Sequence, residues 1–493
     1  MDIIVFGIGE IGRRSLPFLE EEHHILFLSD SSEKKWETTV GNYRIKAPEE
    51  IKKHDCAVVI TSTRYGTEIA DRLQEMGIDK KRIYFCRGFQ AEDAYKYEIY
   101  PQMVEMLSDT GLPLLQYDLL HAGEEEGECQ RVLVACSAFS VYTKQVIENI
   151  SRRYKDIEFS LLTNAKESKE KIAAGQLKHI YYFRTMSDLK TVLEQLPIYD
   201  AMQFLWIEQE WGYFYELIRK KTKRLNLNVG GSDFYRASEC QRLFIKNIIA
   251  GADSITAETE GTVKDFEAYY GEKIKQPLGL LPFGIEVLDL IKKKETASRA
   301  EMKRRFHIPD DRIVVTCGHN TNTAHQHLEM TASLKHLSEE VKKKIVCVFP
   351  MTYPKGADAY IEEVRDNLAA GGLEFVILTE FMDFEMMAEY ALISDIMIHV
   401  QTTDQLSSTM LEEMYAGSLV IAGSWLPYQS LHEMGIYFWD VNKVSDITVL
   451  LEEAAANMEK YREKCTGNKE IVWQHSSWDV LAPKWHALWE NRK

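Results

Sequence analysis

The chain has 493 residues, enough for two or three domains with full cores, and its 45% hydrophobic and 27% charged content is that of an ordinary globular protein. A formal net charge of −17 argues against nucleic acid as the main partner, because that role needs a basic footprint. Eight cysteines without a C-x-x-C pair, several inside apolar runs such as VLVACS and IVCVF, read as buried thiols of a reducing cytosol rather than a metal or disulfide framework.

In chain order, the first 88 residues read as strand–helix repeats. Strands are predicted over 3–7, 25–29, 56–61 and 82–86, with helices between them. A chain that opens on a strand carries no signal peptide there, and no apolar run approaches the ~18–20 residues of a membrane span. The expected location is the cytoplasm, with contact at the inner face of a membrane left open. VFGIGEIGRRS, residues 5–15, spaces Gly7, Gly9 and Gly12 as G-x-G-x-x-G between a strand and a helix-like segment from Arg13 to Glu22. Such glycines allow a tight turn and bring backbone N–H groups and a helix N-terminus to a phosphate. The second strand leads to Asp30, about where a ribose-binding acid belongs. Gly7, Gly9, Gly12 and Asp30 are therefore candidates for nucleotide binding. A full dinucleotide fold needs two such halves, and about four strands make only one. Residues 89–130 read as helix plus linker.

A second α/β series begins at Arg131 with RVLVACS, IEFSLLT, HIYYFR, DAMQFLW and LNLNVGG, and closes near LGLLPFGIE, residues 278–286. NVGGSDFYR, 228–236, ends one of these strands. Gly230 and Gly231 let the backbone approach a ligand, and Asp233 follows as a candidate general base. An Asp capping a turn is the plainer alternative. WIEQEWG, 206–212, offers Glu208 and Glu210 as rival bases. Arg219, Lys220, Lys221, Lys223 and Arg224 form a basic cluster that reads as a solvated helix end or as a contact for anionic lipid or a lipid diphosphate.

A third series runs through RIVVTCG, KIVCVFP, LEFVILT, SDIMIHV and SLVIAG. The last stretch, 469–490, carries Trp473, Trp478, Trp485 and Trp489, and reads as a helical end packed on a core, with a sugar-stacking platform as the alternative. Two successive doubly wound domains place two ligand-binding strand edges in one chain. Facing across a cleft, such edges suit a transferase that holds a donor on one side and an acceptor on the other. The order of domains expected is 1–88, a helical linker 89–130, an acceptor domain 131–284, a donor domain 285–470 and a helical end 471–493.

Three segments of the third series carry the donor-side signals. HVQTTDQLSSTMLEEMYAGSLVIAG, 399–423, runs from a strand through a polar loop into a helix near Ser408, with Asp404 and Glu412 eight residues apart. It resembles the E-x7-E segment of nucleotide-sugar glycosyltransferases of the GT-B type. Asp404 stands in place of the first Glu, and Gln405 and Ser407 in place of the usual loop glycines. The resemblance implies that backbone N–H groups of residues 406–409, Ser407 and Ser408 among them, meet phosphate while Glu412 grips the ribose. TCGHNTNTAHQHLEMTASL, 316–334, brings Gly318, His319, Asn320, His325 and His327 to the loop that contacts pyrophosphate in that fold. A metal is the rival use of these histidines, but no neighbouring Cys or acid completes a ligand set. VFPMTYPKGADAYIEEVRD, 348–366, with Tyr353, is followed by Ile377, Leu378, Thr379, Glu380 and Phe384. Together these segments resemble the donor domain of bacterial N-acetylfucosamine transferases, which use a thymidine diphosphate sugar and a polyprenyl-diphosphate-linked acceptor.

The sequence thus predicts a GT-B glycosyltransferase of bacterial surface-glycan assembly, with an added N-terminal Rossmann-like domain. The donor is a UDP- or TDP-sugar, the acceptor a glycan or lipid-linked hydroxyl. No metal or other cofactor is required, nucleic acid is no partner, and self-association is left open. The N-terminal domain itself resembles nucleotide-sugar-holding modules of polysaccharide-pathway acetyltransferases. The alternatives are an NAD(P)-dependent sugar-modifying oxidoreductase and a non-catalytic nucleotide-sugar-binding assembly protein.

Overall fold

The computed structural model describes residues 1–62, 65–90, 95–102, 129–136, 140–164, 177–235, 237, 242, 245–276, 278–404 and 406–490. Two structural units divide the chain: the first takes in 1–257, 263–280 and 486–493, the second 258–262 and 281–485.

The first unit contains two seven-stranded sheets. The N-terminal sheet is built from β1 (Asp2–Phe6), β2 (His24–Ser29), β3 (Thr39–Val40), β4 (Tyr43–Lys46), β5 (Ala57–Ile60), β6 (Ile83–Gln90) and β7 (Tyr95–Pro101), in the order β3-β4-β2-β1-β5-β6-β7. Its interior strands are parallel, and the two edge pairs, β3 with β4 and β6 with β7, are antiparallel. Ile3, Ile4 and Val5 are all fully buried, because helices such as Glu10–Glu22 cover a parallel sheet and leave no face for water. The sheet is larger than the four strands expected. β3 and β4 are only two and four residues long, too short to show a pattern. β7 falls where helix plus linker was expected, and its alternation of Lys96 and Glu98 with Tyr97 and Ile99 is a strand's period of two. The rest of that expected linker, 103–128, lies outside the described residues.

The second sheet is wholly parallel and comprises β8 (Gln130–Cys136), β9 (Ile157–Thr163), β10 (Leu177–Tyr182), β11 (Tyr199–Leu205), β12 (Thr222–Val229), β13 (Ser254–Ala257) and β14 (Leu278–Leu280). Their order is β10-β9-β8-β11-β12-β13-β14. One hydrophobic cluster is continuous between the two sheets, joining Ile60, Phe85 and Tyr100 to Met186, Trp211 and Phe214. The basic cluster of 219–224 is largely committed to the unit's own fold. Lys221 donates to the carbonyls of Glu194 and Leu196, Lys223 pairs with Asp200 at 2.7 Å, and Arg224 reaches the carbonyls of Leu488 and Glu490.

The second unit has one six-stranded parallel sheet: β15 (Ile313–Cys317), β16 (Ile345–Pro350), β17 (Phe375–Leu378), β18 (Ile396–His399), β19 (Leu419–Gly423) and β20 (Trp439–Val441), ordered β17-β16-β15-β18-β19-β20. The order reverses between β15 and β18, so the loops after these two strands emerge side by side at the carboxyl edge. Among the described residues no helix is long and apolar enough to cross a membrane.

The tryptophans of the last stretch are core residues. In the second unit, Trp485 is fully buried, stacks on Phe283 at 5.6 Å and donates its indole N–H to the Pro282 carbonyl. Trp478 packs against Gly284 so closely that an added Cβ there would lie 2.4 Å from the indole. In the first unit, Trp489 donates to Gln203. Trp485→Ala is expected to lower the stability of the second unit by about 3–5 kcal/mol. Urea titration followed by near-ultraviolet circular dichroism of the purified variant checks this, and an unchanged transition would refute it.

Candidate functional site

At the carboxyl edge of the second unit's sheet, three loops are laced together. Gln326 donates from Nε2 to the Val400 carbonyl at 2.5 Å, and the Thr402 N–H donates to the Ala324 carbonyl at 2.8 Å. These bonds join the loop after β15 to the loop after β18. Thr321 ties the same loop to the one after β16, through its N–H to the Tyr353 carbonyl and its hydroxyl to the Pro354 carbonyl. Gly318 opens the first loop at φ +68°, and a Cβ there would stand 2.8 Å from Nε2 of His327. Only glycine meets both demands.

His325 and His327 are 1% and 0% exposed and form a floor beneath Gly318. The His319 ring stands edge-on to His325 at 4.3 Å and parallel to His399 at 5.8 Å. Burial holds these imidazoles neutral: it presses His319 down to about 3, His327 to about 4, and His325 lower still, with the neighbouring imidazoles adding to the effect at His319 and His325. Both ring nitrogens of His325, Nδ1 of His319 and Nε2 of His327 have no hydrogen-bond partner among the described residues. Of the three histidines named from the sequence, His319 alone is half-buried and stands beside Asn320 on the loop. Among the described residues, no group of three or more His, Cys, Asp or Glu is placed to hold a metal ion.

The loop after β18 leads into the helix Ser408–Ala416, whose N-cap is Ser407, with its hydroxyl accepting from the Met410 N–H. Asp404 is held by two groups that sequence reasoning missed. Its Oδ2 accepts from the Tyr428 hydroxyl at 2.5 Å and lies 3.2 Å from Nε2 of His399. His399 ends a buried strand and gave a local signal, whereas Tyr428 is 24 residues from Asp404 and gave none. Glu412 and Glu413 follow on the helix. Glu413 accepts from the Ser418 hydroxyl at 2.6 Å, which makes it part of the fold. Glu412 is 4% exposed and has no hydrogen-bond partner among the described residues. Burial pushes its carboxyl up to about 8. The Tyr353 side chain bonds Asn320 and feels the charge of Glu412. The structure therefore gathers Gly318, His319, Asn320, Tyr353, Asp404, Ser407, Ser408 and Glu412 on one sheet edge and sets His325 and His327 below it.

In the first unit, Asp233 lies just past β12. Its Oδ2 accepts from the N–H of Ile207 at 2.7 Å and of Gly230 at 3.4 Å, while Oδ1 is buried with no partner among the described residues. Burial raises this carboxyl to about 6 against the pull of those N–H groups. Glu208, next to Ile207, is pushed up to about 8 by burial and by the charges of Glu210 and Asp233, with Arg87 opposing. Glu210 is bound to Arg87 of β6 at 2.7 Å, both side chains being largely buried. Arg87 was missed from the sequence, although an arginine inside the buried strand IYFCRGF was its signal.

The glycine-rich loop of the N-terminal sheet is closed on itself. Gly7 takes φ +97°, and a Cβ on Gly12 would come 2.4 Å from the Gly7 carbonyl oxygen, so Gly12 serves the close packing of helix on turn. Gly9 faces open space. Asp30 is occupied by the Ile8 and Ser32 N–H groups and by Lys35 at 2.8 Å. Burial works against its ionisation, but these donors outweigh it and hold the carboxyl below its ordinary range.

Residues 1–84 match a sequence family described as C2185-like, N-terminal. No curated protein matches the chain. Among solved structures, the chain is similar to HepE of Anabaena in complex with UDP, with a TM-score of 0.58 at 11% identity over 73% of this chain and 98% of that one. A glycosyltransferase from Rickettsia africae gives 0.57 at 11% over 74% and 100%, and sucrose-phosphate synthase from Thermosynechococcus elongatus 0.55 at 13% over 73% and 98%. These likenesses are of fold: a mixed α/β chain of parallel sheets in the GT-B manner.

The raised Glu412 carboxyl has a thermodynamic signature. Between its usual 4.5 and about 8 the folded chain keeps a proton that the unfolded chain has released, so this group costs stability increasingly as pH rises through that window. Glu412→Gln is expected to gain on the parent steadily from pH 5 to 8 in urea titrations. A difference independent of pH would refute the buried-carboxyl assignment.

Proposed function

We propose that the chain is a glycosyltransferase that moves a sugar from a nucleoside-diphosphate sugar to a hydroxyl acceptor. The observation that carries this is Glu412, a buried carboxyl without a hydrogen-bond partner among the described residues, on the helix that follows the loop bonded to that of Gly318. Leaving a carboxyl unpaired inside a protein costs free energy unless a ligand completes it. A ribose, with two adjacent hydroxyl donors, is the complement. Backbone N–H groups at residues 406–409 and the Gly318–Asn320 turn would take the diphosphate, since the N-terminus of a helix favours anions. Asp404, steadied by His399 and Tyr428, would then face the sugar. HepE, the structural neighbour, was solved with UDP, which favours UDP over TDP as the nucleotide to test first.

On the acceptor side, Asp233 and Glu208 are the groups to receive the hydroxyl proton. The acceptor oxygen bonds to the anomeric carbon as the bond to the β-phosphate oxygen breaks, and that electron pair departs with the nucleoside diphosphate. The finer assignments belong to the same proposal: 131–284 as acceptor domain, 285–470 as donor domain, an acetamido-deoxyhexose as donor sugar, and a lipid-linked glycan of a bacterial surface as acceptor, made at the cytoplasmic face of the membrane. An NAD(P)-dependent reaction on the N-terminal sheet is disfavoured, because Lys35 already occupies the carboxylate that would take the ribose.

Calorimetric titration with UDP, TDP, GDP and NAD is the test. One nucleoside diphosphate is expected to bind, and Glu412→Ala to weaken it by about 1–3 kcal/mol, the cost of leaving a hydrogen-bonding partner unmet. Binding of NAD alone, or unchanged affinity in the folded Glu412→Ala variant, would refute the donor site. Asp233→Asn is expected to keep nucleotide affinity and to abolish release of UDP from UDP-sugar. Nucleotide binding without turnover in the parent would make the chain a sensor rather than an enzyme.

A further inference from the structure

The N-terminal sheet does more than lie beside the second sheet: it inserts a charged side chain among the carboxylates assigned above to acceptor activation. Arg87 stands on β6, its Nη2 2.7 Å from Oε1 of Glu210 and its Nη1 3.4 Å from the Met186 sulfur. Around it lie Glu98 and Tyr100 from β7, and Glu208 beside Glu210 at the start of the helix Gln209–Tyr213. Glu98 is buried and accepts the Met186 N–H on both carboxyl oxygens at 3.2 Å. The charges of Asp188 and Glu210 act on Glu98, and those of Glu210, Arg87 and Asp233 on Glu208. The Tyr213 hydroxyl donates to the Pro101 carbonyl, which pins the helix of Glu210 to the end of β7.

Arg87 thus faces several buried acids at once, and it spends its short contact on Glu210. A guanidinium in this setting keeps its proton: burial opposes the charge, but Glu210, Glu98, Tyr100 and Glu208 outweigh it. The bond to Glu210 uses up a carboxylate that the sequence offered as a base. Glu208 is left, next to Ile207, whose N–H donates to Asp233; Oδ1 of Asp233 is buried with no partner among the described residues.

We propose that Arg87 is a positioning residue for the acceptor-activating carboxylates: by pairing with Glu210 it cancels that charge and leaves the acid–base work to Glu208 and Asp233. The inference rests on glycosyl transfer as proposed above. It gives the N-terminal sheet a part in the chemistry without a ligand of its own. In this arrangement the acceptor proton passes to Glu208 or Asp233, and Arg87 cancels the Glu210 charge that would otherwise oppose ionisation of Glu208.

The test follows the protonated-carboxyl band by infrared pH titration of the full chain, with Glu208→Gln identifying the contribution of Glu208. In the parent this contribution is expected to vanish near pH 8. Arg87→Met is expected to carry the loss upward by about one unit or more, a tenfold change in proton affinity, whereas Arg87→Lys restores the parent profile. Arg87→Met leaves Glu210 buried and unpaired, which threatens folding. The double variant Arg87→Met/Glu210→Gln removes the pair together and is expected to titrate within about half a unit of the parent. A folded Arg87→Met protein with an unmoved band overturns the inference, and so does a double variant displaced downward by a unit, because Glu210 would then act as an uncancelled charge. UDP affinity is expected to be the same in all of these variants. If UDP fails to bind the parent, glycosyl transfer as proposed falls, while the band still decides the role of Arg87.

Discussion

The two backbone-directed hydrogen bonds that join the loops after β15 and β18, from Gln326 to Val400 and from Thr402 to Ala324, hold the carboxyl edge of the second unit's sheet in place. They are available because the strand order reverses between those two strands. At every other position a crossover helix passes over the end of the neighbouring strand; at the reversal it does not, and a crevice is left. Everything of chemical interest in the second unit sits on the residues that border it. Gly318 must turn there, the imidazoles of His325 and His327 must fill the space below, and the helix Ser408–Ala416 must begin there.

A second constraint is electrostatic. Glu412 and Glu98 are buried and Glu208 and Asp233 half-buried, and loss of solvation raises each carboxyl above its ordinary range. Such groups cost folding free energy, and chains retain them where a reaction or ligand needs them. The contrast with Asp395 is instructive. That carboxylate is equally buried, yet it is met by Arg299, Arg462 and the Val314 N–H, and so serves as a structural tie. Glu413, bonded to Ser418, is of the same structural kind. Adjacent positions on one helix thus carry the same residue in different surroundings: Glu413 has a hydroxyl partner in Ser418, and Glu412 has none among the described residues.

Much of the architecture was legible in the sequence because long apolar runs bounded by glycine and polar turns mark buried parallel strands. RVLVACS, DAMQFLW and IVCVF are of this kind, and each is a strand of a central sheet. Short or polar edge strands were not legible: Thr39–Val40 is too brief, and Tyr95–Pro101 hides its period of two among charged residues. At the candidate site, spacing along the chain singled out Asp404, Glu412 and Asp233. It could not tell which residues meet across strands. The bonds from Tyr428 to Asp404 and from Arg87 to Glu210 span 24 and 123 residues, and no local pattern encodes them. For the same reason Asp30 looked open in the sequence, although Lys35, five residues on, folds back to close it.

The hydrophobic cluster shared by the two sheets of the first unit bears on how such a chain arises. Phe85 and Tyr100 of the N-terminal sheet and Met186 and Trp211 of the second belong to one continuous core. A gene fragment ending after β6 would lose β7 and uncover that core on both sides. Recombination at this boundary therefore yields two sticky halves rather than two usable modules. The two sheets therefore depend on each other for burial through residues beyond 84, Tyr100 and Tyr213 among them, although the family match covers residues 1–84 alone.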